Sequence, residues 1–206
     1  MLLSGVVLLQ AVAERVLARY LALSPGTEVA PVAEPDSLRR RGIDLAYVAQ
    51  GERRTAKVKP DVYFGTDLSK IDDRSLTFYR QNAGRCALQV IADSVTHDSG
   101  WVFTSEADEL FYYYVAILQD EAEVRELLSE DDEHFFSHLQ VERDDLLVLP
   151  MGRVRAWFAE HAIRYPSRPV SLGESSAWYR LVPRAEIESA VPGIEDRGPI
   201  FANLSG

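Results

Sequence analysis

The sequence predicts an α/β protein in which the whole chain, residues 1–206, forms one domain. Three observations favour this class. The chain has 206 residues and is 47% apolar, which is enough for a hydrophobic core. A helix-like apolar pattern opens the chain at residues 2–23. Strand-like alternating segments come next, and helix-like segments lie between and after them.

The first half is predicted to be one long helix followed by strands. The helix at residues 2–23 is expected to end at Ser24-Pro25-Gly26, a strong stop signal. A proline-containing loop then leads to the basic run at residues 39–41, and a polar loop is expected at 65–74. The predicted strands are residues 43–50, 55–64, 76–80 and 86–95, with turns at 51–54 and 82–84. The first two strands are expected to form a hairpin.

The second half is predicted to mix helices and strands. Thr104-Ser105-Glu106 resembles a helix start, so residues 107–117 are interpreted as a helix or as a helix followed by a strand. Residues 119–144 are strongly acidic and are expected to form an exposed helical excursion, whereas the tail, residues 193–206, is expected to be irregular. The remaining predictions are strands at 146–149 and 179–182, a helix at 152–162 and a short helix that opens at Pro183.

Charge, cysteine content and hydropathy restrict the class of protein. The net charge of −10 argues against a general nucleic-acid coat protein but permits a local basic strip. Cys86 is the only cysteine, so we expect a buried apolar residue and a reducing, cytoplasmic compartment. No Lys or Arg precedes the apolar N-terminal run, which favours a buried amphipathic helix over a signal peptide, and no membrane partner is expected.

The predicted hairpin carries the residues with the clearest chemical potential. Side chains alternate across a strand, so Lys57, Lys59 and Asp61 share one face, and a tight hairpin brings Asp44 beside that face. Carboxylates placed in this way can hold Mg²⁺, which polarises a phosphate and activates a bound water, while a lysine supports the nucleophile. The alternative is a plain hairpin whose charges face solvent.

This region resembles the PD-(D/E)XK, or restriction-endonuclease-like, nuclease superfamily. It is similar to small phage and bacterial members that carry Gly-x-Asp, a hairpin and then Glu-Val-Lys-x-Asp. The matching segments, in order over roughly residues 1–160, are Gly42-Ile43-Asp44, Lys57-Val58-Lys59-Pro60-Asp61, Ser99-Gly100-Trp101, Ala107-Asp108 ahead of residues 112–114, and residues 146–149 ahead of Trp157. The resemblance implies a central mixed sheet flanked by helices and a metal-dependent DNA phosphodiesterase.

The resemblance also implies roles for single residues. Asp44 would be the metal-binding acid and Lys59 the lysine that orients water or stabilises the transition state. Two positions depart from the family pattern, because Lys57 occupies the acid position and Gln89 stands where a later strand is expected to carry Glu. A protonated lysine cannot bind Mg²⁺. Either Asp61 and Glu14 replace the lost ligand, or Lys57 pairs with Asp44 and neutralises the site.

Other candidate sites are weaker. Arg39, Arg40 and Arg41 could form a basic strip with the hairpin lysines and contact DNA phosphates, with Gln89 as a further nucleic-acid contact. The alternative for this run is a solvated loop. The pair His134 and His138 has a metal-ligand spacing on a helix, but its acidic surroundings favour surface histidines.

Two hypotheses of different classes therefore remain. The first is a Mg²⁺-dependent phosphodiesterase acting on DNA, with weakened or lost activity. The second is a non-catalytic binding protein that keeps the nuclease fold and meets a protein partner through its acidic face. Two carboxylates within coordination distance at Asp44 would favour the enzyme, and a direct Lys57–Asp44 ion pair would favour the binding protein.

Overall fold

The computed structural model describes residues 2–31, 37–66 and 84–204, which contain seven α-helices and two β-sheets. The helices are α1 (Leu2–Leu23), α2 (Ser37–Arg40), α3 (Trp101–Thr104), α4 (Glu121–Leu127), α5 (Asp132–His138), α6 (Met151–His161) and α7 (Arg184–Ala190). Short 3-10 helices lie at Ala162–Arg164 and Phe201–Asn203. Within the described ranges, no helix has the length and apolar character needed to cross a bilayer.

A six-stranded mixed sheet and a four-stranded antiparallel sheet form the framework. The strands are β1 (Thr27–Pro31), β2 (Leu45–Ala49), β3 (Glu52–Tyr63), β4 (Arg85–Asp93), β5 (Asp98–Ser99), β6 (Glu109–Ile117), β7 (Val141–Pro150), β8 (Ser167–Ser171), β9 (Ser176–Pro183) and β10 (Glu195–Gly198). The large sheet has the order β1-β2-β3-β6-β7-β10, and the small sheet has the order β5-β4-β9-β8. In the large sheet only β3 and β6 run parallel.

A two-residue turn connects β2 and β3 in the hairpin. Gln50 and Gly51 both have positive φ, 54° and 80°, as a two-residue hairpin loop requires when its twist matches that of the strands. Leu45 pairs with Ala56 and Ala49 with Glu52, so β3 continues well beyond the end of β2. The turn therefore consists of Gln50 and Gly51, and not of the predicted residues 51–54. The second strand begins at Glu52.

One face of the large sheet packs on α1. The buried residues of this helix recur at helical spacing and contact residues of the central strands, among them Val58 and Phe111. Helices α4 and α5 close the same core with Val124, Phe135 and Phe136. Residues 119–144 are thus not a detached excursion: their outer faces are exposed, their inner side chains are buried, and their last residues belong to β7.

The opposite face of the large sheet packs on the small sheet and on α6 and α7. Leu110 and Leu149 of the large sheet share a core with Leu88 of β4, Phe158 of α6 and Ile187 of α7. Each such large side chain stabilises the fold by about 2 kcal/mol when fully buried. Helices on both faces were expected, and the correction is that a β-sheet covers much of this second face.

Asp144 fastens the C-terminal segment to the large sheet. Its buried carboxylate accepts hydrogen bonds from the Tyr113 hydroxyl at 3.1 Å, from the Ile200 N–H at 2.9 Å and from the Phe201 N–H at 2.8 Å. Ile200, Phe201 and Leu204 then enter the core under α1. The predicted irregular tail is therefore wrong for residues 195–204, which form β10 and a 3-10 helix.

The α/β class, the mixed sheet, α1, the hairpin, α6 and α7 are confirmed. Two further corrections concern local signals. The expected proline-containing loop includes β1, and Thr104 ends a short helix instead of starting one, so that the aromatic run from Glu109 is strand β6. The predicted strand 76–80 and most of the turn 82–84 lie outside the described residues.

Candidate functional site

Asp44 lies immediately before β2, beside the part of β3 that extends past the end of β2 and pairs with β6 on its other side. Its N–H donates to the Ala56 carbonyl at 2.9 Å, and its Oδ2 accepts from the Val58 N–H at 2.8 Å. Gly42, two residues earlier, has φ of +70° and packs so closely on Ser105 that a Cβ would lie 2.9 Å from the Ser105 Cα. This approach sets the path of the chain into Asp44, which is only 4% exposed.

Two cations face the Asp44 carboxylate. The Lys57 Nζ lies 2.8 Å from Oδ2, and the Arg39 Nη1 lies 3.6 Å from Oδ1. The Lys57 and Arg39 side chains are 17% and 19% exposed, so the pairs are largely removed from water. Lys57 therefore makes the direct ion pair with Asp44 that the sequence left open.

Glu14 joins the same group from α1. Arg39 donates two parallel hydrogen bonds to its carboxylate, from Nη1 to Oε1 at 2.8 Å and from Nη2 to Oε2 at 2.5 Å. Gln10 donates to Glu14 Oε1 at 2.7 Å and toward the Val58 carbonyl at 3.4 Å. We call Asp44, Lys57, Arg39 and Glu14 the Asp44 cluster. It holds two carboxylates and two cations, and its formal charge is zero.

The Asp44 cluster does not fit a Mg²⁺ ion. Mg²⁺ requires carboxylate oxygens in near-octahedral positions, and here the oxygens of Asp44 and Glu14 already bind ammonium, guanidinium or amide donors. Across the described ranges, no three His, Cys, Asp or Glu side chains are grouped to hold a metal. Asp61, the other suggested ligand, lies two pleats beyond Lys57 on β3 and faces a different space.

Lys59 lies deep between the two sheets. Its Nζ donates to the Pro60 carbonyl at 2.6 Å and lies 5.9 Å from the ring centroids of both Tyr112 and Tyr179. Burial lowers the pKa of Lys59, with a smaller lowering by Lys57 and an opposing effect of Asp61. Lys59 and Asp44 thus come from paired strands, but Asp44 contacts Lys57 and not Lys59.

Asp61 faces the cleft between the sheets. Burial raises the pKa of its carboxyl, and the charge of Lys59 opposes this rise. The Tyr112 hydroxyl lies 3.4 Å from Oδ2, while the Ala87 N–H donates to that hydroxyl at 2.9 Å. Asp61 is therefore an acid in a poorly hydrated space, separate from the Asp44 cluster.

Gln89 belongs to the small sheet. Its Oε1 accepts from the Trp101 N–H at 3.2 Å at the start of α3, and its Nε2 donates to the Tyr179 hydroxyl at 3.2 Å. Since the Tyr179 ring lies near the Lys59 ammonium, Gln89 is linked to the β3 face only through Tyr179. Its hydrogen bonds give it a positioning role for α3 and β9.

The three arginines of the basic run differ from one another. Arg39 is part of the Asp44 cluster, and Arg41 Nε lies 2.6 Å from Glu106 on the exposed surface. Arg40 is exposed and takes part in none of the ion pairs formed by the described residues. Two of the three arginines are therefore neutralised by acids, and Arg40 is the one that forms none of these ion pairs.

A cleft between the two sheets is the feature that the sequence patterns missed. Asp61 of β3, Tyr114 of β6 and Asp145 of β7 are neighbours in the register and form its floor. A cavity of about 200 Å³ lies above this row, and a second of about 410 Å³ adjoins it. Both cavities are lined by Asp61, Arg85 and Tyr112. These residues come from three distant segments, so no local motif announces the cleft.

The remaining candidates have plain structural roles. Cys86 is buried, and burial raises the pKa of its thiol to about 12, so it is not a reactive thiolate. His134 and His138 are exposed, and their rings stack with centroids 3.9 Å apart and planes 16° apart. Nearly parallel rings do not converge on a common ion, which agrees with their interpretation as surface histidines.

No protein-family model, curated protein or solved structure matches this chain.

Proposed function

We propose that this chain is a binding protein in which the counterpart of a nuclease metal site is closed by ion pairs. The observation that carries the proposal is the contact of 2.8 Å between Lys57 Nζ and Asp44 Oδ2. A metal ion would have to displace this ammonium and also compete with Arg39 for both acids of the cluster. Breaking a buried pair leaves uncompensated charge, so the closed cluster resists metal entry.

The resemblance to PD-(D/E)XK nucleases supports the same proposal. Lys57 stands at the position of the family's second acid, and it converts an arrangement of acids into a neutral pair. The hairpin is thereby kept as a structural element, tied to α1 through Glu14 and Arg39. A buried, unpaired cysteine is compatible with the reducing, cytoplasmic setting that we assign to the protein.

For the partner, we propose a protein with a basic surface. Residues 120–138 include α4, α5 and their connection, and they carry many acids but a single arginine, Arg125, and no lysine. Several of these side chains are exposed. Such a surface steers a basic partner toward it at low ionic strength.

The second candidate is the Mg²⁺-dependent DNA phosphodiesterase. The observation in its favour is Lys59, because burial lowers its pKa and a lysine with a lowered pKa can take part in proton transfer. In this candidate Asp44 and Lys59 remain the catalytic residues, with Mg²⁺ held after Lys57 moves away from Asp44.

Calorimetric titration with Mn²⁺ and nicking of supercoiled plasmid separate the two candidates. The wild type should show neither heat of binding nor nicking. Lys57→Glu should gain Mn²⁺ binding, because it restores a carboxylate beside Asp44. Arg53→Glu, the same charge change at an exposed position of β3, is the matched control and should gain nothing.

Two outcomes would contradict the proposal. Nicking by the wild type that disappears in Asp44→Ala would establish the phosphodiesterase. A Lys57→Glu variant that folds and still binds no Mn²⁺ would show that ion pairing at Asp44 is not what closes the site.

A further inference from the structure

The cleft between the sheets has arginines without acidic partners at its edge. Arg85 lines both cavities, Arg143 lines the smaller one and Arg168 lines the larger one. All three are exposed, and none appears in the ion pairs formed among the described residues. In a chain with 32 acids and 22 basic residues, three such arginines around one cleft provide guanidinium donors that a bound anion can use.

The contrast with Arg184 shows that these arginines are a distinct set. Arg184 also lines the smaller cavity, but it pairs with Asp145, with Glu188 at 2.7 Å and with Asp196 at 2.9 Å. Its positive charge is therefore compensated by acidic side chains of the protein. Arg143 instead lies over the Tyr114 ring, with its Cζ 6.0 Å from the centroid, and forms none of the ion pairs seen among the described residues.

The inner wall of the cleft carries groups that can accept hydrogen bonds. Asp145 Oδ1 is buried and receives no hydrogen bond from the described residues, although Oδ2 binds Arg184. With almost no surface open to solvent, Oδ1 is out of reach of a bound molecule. Asp61 and Tyr112 supply a carboxyl and a hydroxyl that line both cavities and can accept a hydrogen bond from such a molecule.

We propose that this cleft binds a small organic anion that carries a hydroxyl or amino donor, such as a short phosphate monoester or hydroxy acid. The anionic group would be held by Arg143 and Arg85, and the donor would reach the carboxyl of Asp61, which lines both cavities. Arginine is well matched to both phosphate and carboxylate because its planar fork binds two oxygens. The cavities of about 200 and 410 Å³ suit a small molecule better than a nucleic-acid strand. The site is separate from the Asp44 cluster and does not depend on the function proposed above.

Four probes test the two recognition elements separately. Glycerol 3-phosphate and glycerate carry an anion and hydroxyl donors, inorganic phosphate carries the anion alone, and glycerol carries the donors alone. In calorimetry and thermal denaturation at constant ionic strength, at least one of the two hydroxylated anions should bind more tightly than inorganic phosphate, and glycerol should not bind. Which of the two binds decides between phosphate and carboxylate.

The variants assign the binding to this cleft. Arg143→Ala should raise the Kd of the probe that binds by about tenfold, the effect of losing one charge-assisted hydrogen-bonding group. Arg53→Ala removes an exposed arginine that lines neither cavity and should stay within about twofold of the wild type. Asp61→Ala should weaken the binding of a hydroxylated anion more than that of inorganic phosphate. If that variant is misfolded by circular dichroism, the arginine pair of variants still decides the question.

Three results would overturn the proposal. One is that no probe binds to the wild type. Another is that binding persists unchanged in Arg85→Ala/Arg143→Ala. The third is that a single-stranded oligonucleotide binds with the same dependence on Arg143 while the small anions do not, which would make the cleft edge a nucleic-acid surface.

Discussion

Replacing Asp44 by alanine measures how much the interactions of the Asp44 cluster contribute to the free energy of unfolding. The substitution leaves the Lys57 ammonium without its contact at 2.8 Å, takes one acid away from Arg39, and removes the acceptor of the Val58 N–H. Removing one partner of a buried ion pair costs about 3–5 kcal/mol, and an unsatisfied buried N–H adds to this. Lys57 and Arg39 retain 17% and 19% exposure, so water recovers part of the loss. We therefore expect the free energy of unfolding to fall by about 3 kcal/mol.

Urea denaturation followed by tryptophan fluorescence gives this value, and for a chain of this size the melting temperature should fall by about 6–12 °C. Glu106→Ala is the matched control. Glu106 is paired with Arg41 at 2.6 Å, but these side chains are 56% and 51% exposed, so its loss should cost no more than about 1 kcal/mol.

A double-mutant cycle with Lys57→Met isolates the direct pair. If the Lys57–Asp44 contact carries much of the loss, the coupling energy should reach about 1–3 kcal/mol. Equal losses of stability in Asp44→Ala and Glu106→Ala would show that burial of the Asp44 cluster does not strengthen its ion pairs.

Three further substitutions test other parts of the fold. Asp144→Ala should cost about 3 kcal/mol and should speed hydrogen exchange and proteolysis around Phe201, and unchanged exchange there would contradict its anchoring role. Burial raises the pKa of the Cys86 thiol from its usual value of about 9 to about 12, so its contribution to stability is complete well below pH 9 and is lost as the pH rises toward 12. The urea midpoint should therefore fall between pH 8 and 10 more in the wild type than in Cys86→Ala, and equal slopes would count against the raised pKa. Gly100→Ala should cost about 1–3 kcal/mol, because its Cβ would lie 2.1 Å from the Gln89 carbonyl oxygen; a melting temperature equal to that of the wild type would show that this contact relaxes freely.

The parts of the fold that the sequence predicts are those with a local period. The apolar spacing of α1 and the alternation of β2 and β3 depend only on neighbouring residues, so each can be recognised within its own segment. Strand β6 has both faces covered and therefore forms a continuous apolar run, which cannot be distinguished from a buried helix by periodicity. Strand β10 is short, polar and at the sheet edge, so its sequence contains no strand signal.

The candidate sites likewise contain some contacts that a local pattern predicts and others that depend on how distant segments pack. Alternation along β3 predicts that Lys57 shares a face with Lys59 and Asp61, and the pairing of Lys57 with Asp44 is one of the alternatives that this pattern leaves open. Arg39 binds Glu14 across 25 positions of sequence, and such a contact depends on how α1 packs on the sheet. The cleft arginines come from β4, β7 and β8, so their convergence follows from the stacking of two sheets and from no motif.

The C-terminal 3-10 helix has a consequence for how the protein is made. Phe201 and Leu204 share a core with Val12 and Leu17 of α1, so the two ends of the described chain complete the same interior. Contacts between residues so far apart form slowly, because a long loop must close before they stabilise anything. During synthesis, α1 is made well before residues 200–204, and its apolar face is fully covered only when those residues are available. A ribosome stalled before residue 200 would carry a nascent chain with that face still exposed, in a form that chaperones should recognise.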